Sequence, residues 1–244
     1  NYWIKENNLQ AVYEKKEITK REISDLIESI RNKKINGANI TVPFKKEVIP
    51  HLDQLTSEAD QTQSVNTIYV NKNKLIGDNT DIVGFENAIK KTKYNVVNKE
   101  VLVIGSGGVV PSIIFALQKM KISKITLMNR TKNKAENLKS LFKNLFVVDW
   151  GEVPSFDIII NATSVGLNME DKLDLDLSKS GKDKLFYDVI YNPSETNFLK
   201  TGKNLGNKAE NGKMMFLHQA SAAFKIWHGI EPIINEETIK LLEK

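Results

Sequence analysis

Residues 101–131 constrain the fold more than any other stretch of the chain. A β-type apolar run at 101–104 leads into Gly105-Ser106-Gly107-Gly108. A helical pattern with Ile113, Ile114 and Leu117 follows, and a second β-type run at 125–128 ends in Asn129-Arg130-Thr131. Strand, glycine turn, helix and strand make one βαβ unit of a dinucleotide-binding fold. Gly105 lets the chain turn sharply out of the strand. Gly107 and Gly108 lack Cβ, so a pyrophosphate can approach the backbone N–H groups at the helix N-terminus. Pro111 falls in the first helical turn, where a missing N–H costs little. The last position of the G-x-G-x-x-G pattern is Val110, so the loop alone also fits a plain strand–turn–helix of any α/β sheet.

The residues after the second strand sharpen the reading. An NAD-binding unit carries Asp or Glu there to hold the ribose 2′-OH. This chain has Asn129, Arg130, Thr131 and, one helical turn on, Lys134. Cations suit a 2′-phosphate that an acid would repel, so the expected cofactor is NADP(H). The competing reading is a solvated strand end in a lysine-rich chain.

The 244 residues are enough for two modest domains. There is no cysteine, which excludes disulfides, thiolate metal sites and a thiol nucleophile. The 3 histidines show no paired ligand spacing, so no metal is expected. The net charge is +5, but the lysines are spread along the chain beside acids, with no aromatic-interleaved basic stripe. Nucleic acid is therefore not an expected partner, and the excess charge suits an anionic cofactor and substrate. No apolar run nears the length of a membrane span and no signal peptide is visible, so a cytoplasmic location without membrane association is expected.

Taken in order, residues 1–7 read as helix and Ala11-Val12-Tyr13 as a short strand. Thr19 and Glu22 form a capping box for a helix with Ile23, Leu26, Ile27 and Ile30 on one face. A strand begins at Gly37. Pro43 is expected to end it and start a new helix, leaving Thr41 and Lys45 at the strand's C-terminal mouth, where ligands bind in open α/β sheets. By itself Lys45 also reads as a surface helix lysine. Residues 65–77 read as a hairpin turning at 71–74. The polar cluster Asp78-Asn79-Thr80-Asp81 precedes a helix with Phe85 and Ile89, and Asp81 is a candidate N-cap for it. Beyond the βαβ unit, Ala135, Leu138, Leu141 and Phe142 predict a helix, and strands are expected at 146–148, 157–160 and 185–190. Helix follows at 196–203, and a short strand near Ala209. Residues 212–229 make a long helix with a glycine stop, packing through Ala220, Ala223, Phe224 and Trp227, with Gln219 on or beside that stripe. His218 and His228 read as ordinary helix residues. Asn235 caps a final short helix.

Eight motifs together resemble the shikimate dehydrogenase family. They are NITVPFK (39–45), SVNTI (64–68), GDNTD (77–81), GSGGVV (105–110), NRT (129–131), NATSVG (161–166), DVIYNP (188–193) and GKMMFLHQASAAFKIWHG (212–229). They follow the family's order and span almost the whole chain. The resemblance implies an α/β chain: an α/β substrate domain over 1–82, N-terminally incomplete, a Rossmann-type NADP-binding domain over 83–205, and C-terminal helices over 206–244 returning to the first domain. It implies reversible NADPH-dependent reduction of 3-dehydroshikimate to shikimate, on the route to chorismate and the aromatic amino acids, by a monomer or homodimer. Lys45 and Asp81 would be the catalytic pair, with either Lys45 or a water carrying the proton. Thr41, Asn66, Tyr191 and Gln219 would help hold shikimate. Gly107 and Gly108, after the Gly105 turn, would cradle the pyrophosphate, and Asn129, Arg130, Thr131 and Lys134 would take the 2′-phosphate. Ala162, Thr163, Ile190, Gly212 and Met215 would line the nicotinamide side.

The chain departs from the family pattern in two places. Family members begin with a strand and a Ser-x-Ser-Pro segment whose hydroxyls bind the shikimate carboxylate, and Asn1 lies beyond that point. Val109-Val110-Pro111 replaces smaller residues after the glycines, which bears on the pyrophosphate's seat. A broader quinate/shikimate dehydrogenase is the neighbouring reading; such relatives tend to carry an acid near the ribose, so Asn129-Arg130-Thr131 argues against it. A non-catalytic dinucleotide-binding paralogue is the other, and Lys45 with Asp81 argues against that.

Overall fold

Two sheets organise the chain, each built from a different strand chemistry. The structure is a computed structural model describing residues 1–242. It opens with a short helix α1 (Tyr2–Glu6). The Thr19–Glu22 capping box forms, but the turn it caps is a 3-10 turn (Lys20–Glu22) leading into α2 (Ile23–Arg31). α2 buries Ile23, Ile27 and Ile30, the expected amphipathic face. There follow β1 (Gly37–Asn39), β2 (Gln54–Leu55), α3 (Ser57–Thr62), β3 (Thr67–Asn71) and β4 (Lys74–Asp78). They form a sheet of order β1-β3-β4-β2, in which β2–β4 is parallel and the other pairs antiparallel. The β3–β4 hairpin turns through Lys72 and Asn73 at φ 48° and 62°, the positive pair that a type I′ turn requires. Ile68 and Leu75 pack under α2 with Val48 and Val65.

Two expectations fail in this half, for the same physical reason: the backbone groups are claimed elsewhere. Ala11-Val12-Tyr13 is not a strand. The Tyr13 N–H donates to Asn1 Oδ1 and its carbonyl accepts from Asn1 Nδ2, both at 2.8 Å, and no strand among the described residues pairs with the segment. Pro43 does not start a helix; residues 42–48 are a run of turns before a 3-10 turn (Ile49–His51). The Lys45 carbonyl, which a helix would give to Ile49, accepts instead from Val65 N at 2.9 Å, and Ile49 N turns to Lys46.

The second half contains α4 (Thr80–Lys91), β5 (Glu100–Ile104), α5 (Val110–Lys119), β6 (Lys124–Met128), α6 (Lys132–Glu136), β7 (Leu145–Val148), β8 (Ile158–Asn161), β9 (Leu185–Asp188), α7 (Asn197–Asn204), β10 (Lys208–Glu210), α8 (Lys213–His228) and α9 (Glu236–Lys240). Its sheet is parallel, of order β10-β9-β8-β5-β6-β7. The strand order reverses between β5 and β8, as in a doubly wound dinucleotide fold. Continuous apolar strands fit burial on both faces. Ile82, Phe85, Ile113, Leu117 and Met215 cover one face, and Phe156, Leu177, Phe198 and Leu199 cover the other. The helix expected through Phe142 stops at Glu136 and tightens into a 3-10 turn (Asn137–Ser140). That turn leaves Leu141 38% exposed and drives Phe142 into the core at 4%, just before β7 begins. Asn235 caps α9 as expected.

α8 lies along α4 and also reaches the first sheet, where Trp227 Nε1 donates to the Ile68 carbonyl at 3.1 Å. Its buried face is Met215, Leu217, Ser221, Ala223 and Phe224; Ala220 and Trp227 of the expected stripe are only half-buried. Among the described residues, no helix is long and apolar enough to cross a membrane.

Candidate active site

Lys45, Asn66 and Asp81 come together from three separate segments. The Lys45 ammonium pairs with Asp81 Oδ2, with the two side chains 12% and 10% exposed. Asn66 Nδ2 donates to the other carboxylate oxygen at 2.9 Å. Asn66 is itself fixed: its Oδ1 accepts from Thr80 N at 2.8 Å and from the Thr67 hydroxyl at 3.0 Å. Asp81 is not the N-cap of α4, contrary to the alternative raised from sequence. Asn79 caps the helix, its Oδ1 accepting from Asp81 N at 3.2 Å. Asp81 therefore sits inside the first turn, where the helix dipole favours its charge and its carboxylate is left for Lys45.

Thr41 is exposed at the start of the same loop, its carbonyl accepting from Phe44 N at 2.9 Å. The Tyr191 ring stacks on Phe216 of α8 with centroids 4.9 Å apart. Gln219 Nε2 donates to the Phe216 carbonyl at 3.0 Å. Gln219 packs on α4 at Gly84, about one turn from Asp81: a Cβ built on Gly84 would lie 2.8 Å from Gln219 Cβ.

The glycine loop lies at the reversal of strand order, the crevice where open α/β sheets bind ligands. Gly105 has φ 115°, and a Cβ there would fall 2.8 Å from the Ala162 carbonyl, so only glycine makes this turn without strain. Beside Gly107 there is open space, and Gly108 faces the Lys45 stem at 3.8 Å from a built Cβ. A cleft of about 700 Å³ runs between Val42, Lys45 and Ser64 on one wall and Gly107, Gly108 and Pro111 on the other. Of the expected site residues, Lys45, Gly107 and Gly108 line it. Of the bulkier residues after the glycines, Val110 is buried in the core and Val109 packs on it, whereas Pro111, though largely buried, edges the cleft.

At the end of β6, Asn129 Nδ2 donates to the Thr131 carbonyl at 2.8 Å, and Arg130, Thr131 and Lys134 are exposed. Lys132 is engaged by Asp149 at 3.0 Å, whereas among the described residues no ion pair holds Arg130 or Lys134. Two cations thus stand available beside the strand end.

Ala162, Thr163, Ile190, Gly212 and Met215 gather at the ends of β8 and β9 and the start of α8. A group given no role from sequence ties three of them, Thr163, Ile190 and Gly212, together. Asp188 closes β9 and is fully buried. Its carboxylate accepts from Asn161 Nδ2 at 3.1 Å, Ile190 N at 3.0 Å and the Thr196 hydroxyl at 2.6 Å. Asn161 Oδ1 in turn accepts from the Thr163 hydroxyl at 2.7 Å, and the Ile190 carbonyl accepts from Gly212 N at 3.0 Å. Burial raises the Asp188 carboxyl above the ordinary carboxylate range, against the opposing pull of these donors. The available signal was the acid ending an apolar strand, because a buried carboxylate must find donors.

His218 and His228 behave as ordinary helix residues. Burial lowers both, and the His228 ring packs 4.5 Å from that of Phe224. Among the described residues, no cluster of His, Asp and Glu could hold a metal ion.

Comparisons with known proteins bear on the family and the fold. The family model described as the shikimate dehydrogenase substrate binding domain matches residues 1–68, and that described as shikimate / quinate 5-dehydrogenase matches residues 86–194. The chain is 56% identical over 243 residues to a shikimate dehydrogenase (NADP(+)) of Pelagibacter ubique, covering 100% of this chain and 92% of that protein. Shikimate dehydrogenase from Aquifex aeolicus superposes with a TM-score of 0.87 at 37% identity, covering 99% of this chain and 89% of that one. The Thermus thermophilus enzyme in complex with NADP(H) and shikimate gives 0.88 at 27%, covering 99% and 90%.

Proposed function

The chain belongs to the shikimate dehydrogenase family, and from that premise we infer that it catalyses the reversible NADPH-dependent reduction of 3-dehydroshikimate to shikimate. The observation that carries the reading at residue level is the Lys45–Asp81–Asn66 constellation beside Gly108. NADP fits the residues present: a turn at Gly105 that only glycine makes without strain, open space at Gly107 and two exposed cations after β6.

When bound, NADPH supplies the hydride. In the reducing direction, the Lys45 ammonium polarises the ketone oxygen and gives it a proton as the carbonyl carbon is reduced. In the oxidising direction, the Lys45 amine recovers the proton from the hydroxyl. Asp81 holds Lys45 by charge, and Asn66 fixes the rotamer of Asp81. Thr41, Tyr191 and Gln219 hold the remaining polar groups of the substrate. Asn129, Arg130, Thr131 and Lys134 take the 2′-phosphate, Gly105, Gly107 and Gly108 the pyrophosphate, and Ala162, Thr163, Ile190, Gly212 and Met215 flank the nicotinamide.

The division of labour we propose assigns 1–82 to substrate and catalysis and 83–205 to the cofactor, with 206–244 returning α8 to the first unit. Edge strand β10 counts with the cofactor sheet because it pairs with β9. A cytoplasmic enzyme, monomeric or homodimeric, accompanies this reading. The test is to follow near-ultraviolet absorbance of reduced nicotinamide in the full-length protein with shikimate and NADP⁺, with NAD⁺ and quinate in parallel. Turnover confined to shikimate and NADP⁺ is expected. Equal rates with quinate or NAD⁺ would move the chain to the broader quinate/shikimate class. No turnover with NADP⁺ still bound would move it to a non-catalytic role.

A further inference from the structure

Two side-chain bridges, one buried and one part-buried, join the glycine loop and its helix to the segments that carry Lys45 and Asp81. Ser112 lies in the first turn of α5 and is fully buried. Asn79 Nδ2 donates to Ser112 Oγ at 2.9 Å, and Ser112 Oγ donates back to Asn79 Oδ1 at 3.2 Å. Asn79 also donates to Thr62 Oγ1 at 3.1 Å and accepts from Asp81 N at 3.2 Å. Both amide hydrogens and both acceptor positions of Asn79 are thus used. The second bridge is weaker: the Ser64 hydroxyl donates to the Gly108 carbonyl at 3.3 Å. Ser64 precedes Val65, whose N–H holds the Lys45 carbonyl, and Asn66, whose amide holds Asp81.

A helix cap needs only an oxygen that accepts from its own helix. Asn79 does that and spends both amide hydrogens on neighbouring helices, α3 and α5. A fully satisfied polar network in a low-dielectric interior is stiff and specifies one geometry. The path from the pyrophosphate seat to the carboxylate is short: from Gly108 into the first turn of α5 at Ser112, across one paired hydrogen bond to Asn79, and two residues on to Asp81.

We propose that Ser112, acting through Asn79, is a positioning residue that couples occupation of the dinucleotide loop to the placement of the Asp81 carboxylate. This rests on the catalytic assignment of Lys45 and Asp81 made above. Amide hydrogen exchange of the full-length enzyme, with and without saturating NADP⁺, reads the coupling without needing substrate. In the wild type, NADP⁺ slows exchange at 105–112 and also at 78–83. In Ser112→Ala the protection at 105–110 persists, that at 78–83 is lost, and kcat with shikimate falls about fivefold to tenfold, one hydrogen bond's worth, with the NADP⁺ KM within about twofold. Thr62 still accepts from Asn79 in this variant, which favours folding. If it does not fold, Ser112→Cys, of similar size and with a weak hydrogen-bonding group, carries the same comparison. Protection at 78–83 that survives in the folded variant, or is absent in the wild type, overturns the proposal. A wild type with the exchange signature but no turnover would refute the catalytic reading and leave the coupling standing.

Discussion

Gly84→Ala isolates the contact that sets the distance between α4 and α8. A Cβ at residue 84 would lie 2.8 Å from both Gln219 Cβ and the Met215 carbonyl oxygen, and 3.0 Å from Gln219 N. Carbon atoms prefer separations of about 3.5–4.0 Å, so α8 must retreat by roughly 1 Å. Two energies oppose each other. Replacing a mid-helix glycine by alanine stabilises α4 by about 1 kcal/mol. Overpacking a tight interface costs about 1–3 kcal/mol. The net loss is then roughly 0–2 kcal/mol, a fall in Tm of a few degrees for a chain of this size, at about 2–4 °C per kcal/mol. Activity should fall much further. On the proposed assignment Gln219 and Met215 bring α8 into the site, and a displacement of about 1 Å at a reacting centre costs up to roughly 10²-fold. The assay is kcat/KM for shikimate oxidation beside a thermal melt. A variant with kcat/KM within twofold of wild type would refute the reasoning, because α8 would have absorbed the methyl without moving the site.

Lys45→Ala should lower kcat by about 10²–10⁴-fold, the usual range for a general acid–base, and wild-type turnover would demote Lys45 to a binding or surface role. Arg130→Asp should raise the KM for NADP⁺ far more than that for NAD⁺ in steady-state assays, and equal effects on both would remove Arg130 from the 2′-phosphate site. Gln219→Ala should weaken shikimate binding measured by calorimetry with the NADP⁺ constant unchanged; a change confined to NADP⁺ would move Gln219 to the other half of the cleft. Asp188 has a native carboxyl raised above its unfolded value of 3.8, so the native state holds the proton more tightly and stability falls as pH rises through that window. Asp188→Asn keeps an oxygen for Asn161 and Ile190 and lets Thr196 accept, so its urea midpoint should gain on the wild type as pH rises above about 4. A gap that narrows with rising pH would contradict the raised carboxyl.

The β5–α5–β6 unit was legible because its signals are local: an apolar run, glycines at the turn and an apolar helix face lie within one stretch. The position of β8 beside β5 was not, because alternation and propensity say which residues extend but not which strand they pair with. Ala11-Val12-Tyr13 has strand chemistry, yet its backbone groups bond to the Asn1 side chain. Residues 42–48 look helical after Pro43, but Val65 captures the Lys45 carbonyl. The same capture holds Lys45 on the cleft wall, so the failed helix and the candidate site share one hydrogen bond. In the polar run 78–81, composition nominates several capping side chains and only backbone geometry selects Asn79. Motif order carried Lys45, Asp81 and Asn66 to one place, whereas Ser112 lay unmarked because its partner Asn79 is 33 residues away. Asp188 lies inside a motif but carried no role of its own, because its tie to Asn161 spans 27 residues.

α8 follows every other site-bearing element in the sequence, and this orders events on the ribosome. At about 5–20 residues per second, Lys45, Asp81 and the glycine loop emerge well before Gln219 and Met215. Until α8 docks, the Gly84 side of α4 lacks its cover, and on the proposed assignment a ligand cannot yet draw on Gln219 or Met215. Stabilisation of the folded state by ligand, which grows with its concentration over Kd, reaches full strength only after α8 has been made. A chain halted before residue 212 would carry the Lys45 and Asp81 segments together with an uncovered apolar helix face, the kind of surface that chaperones and proteases engage.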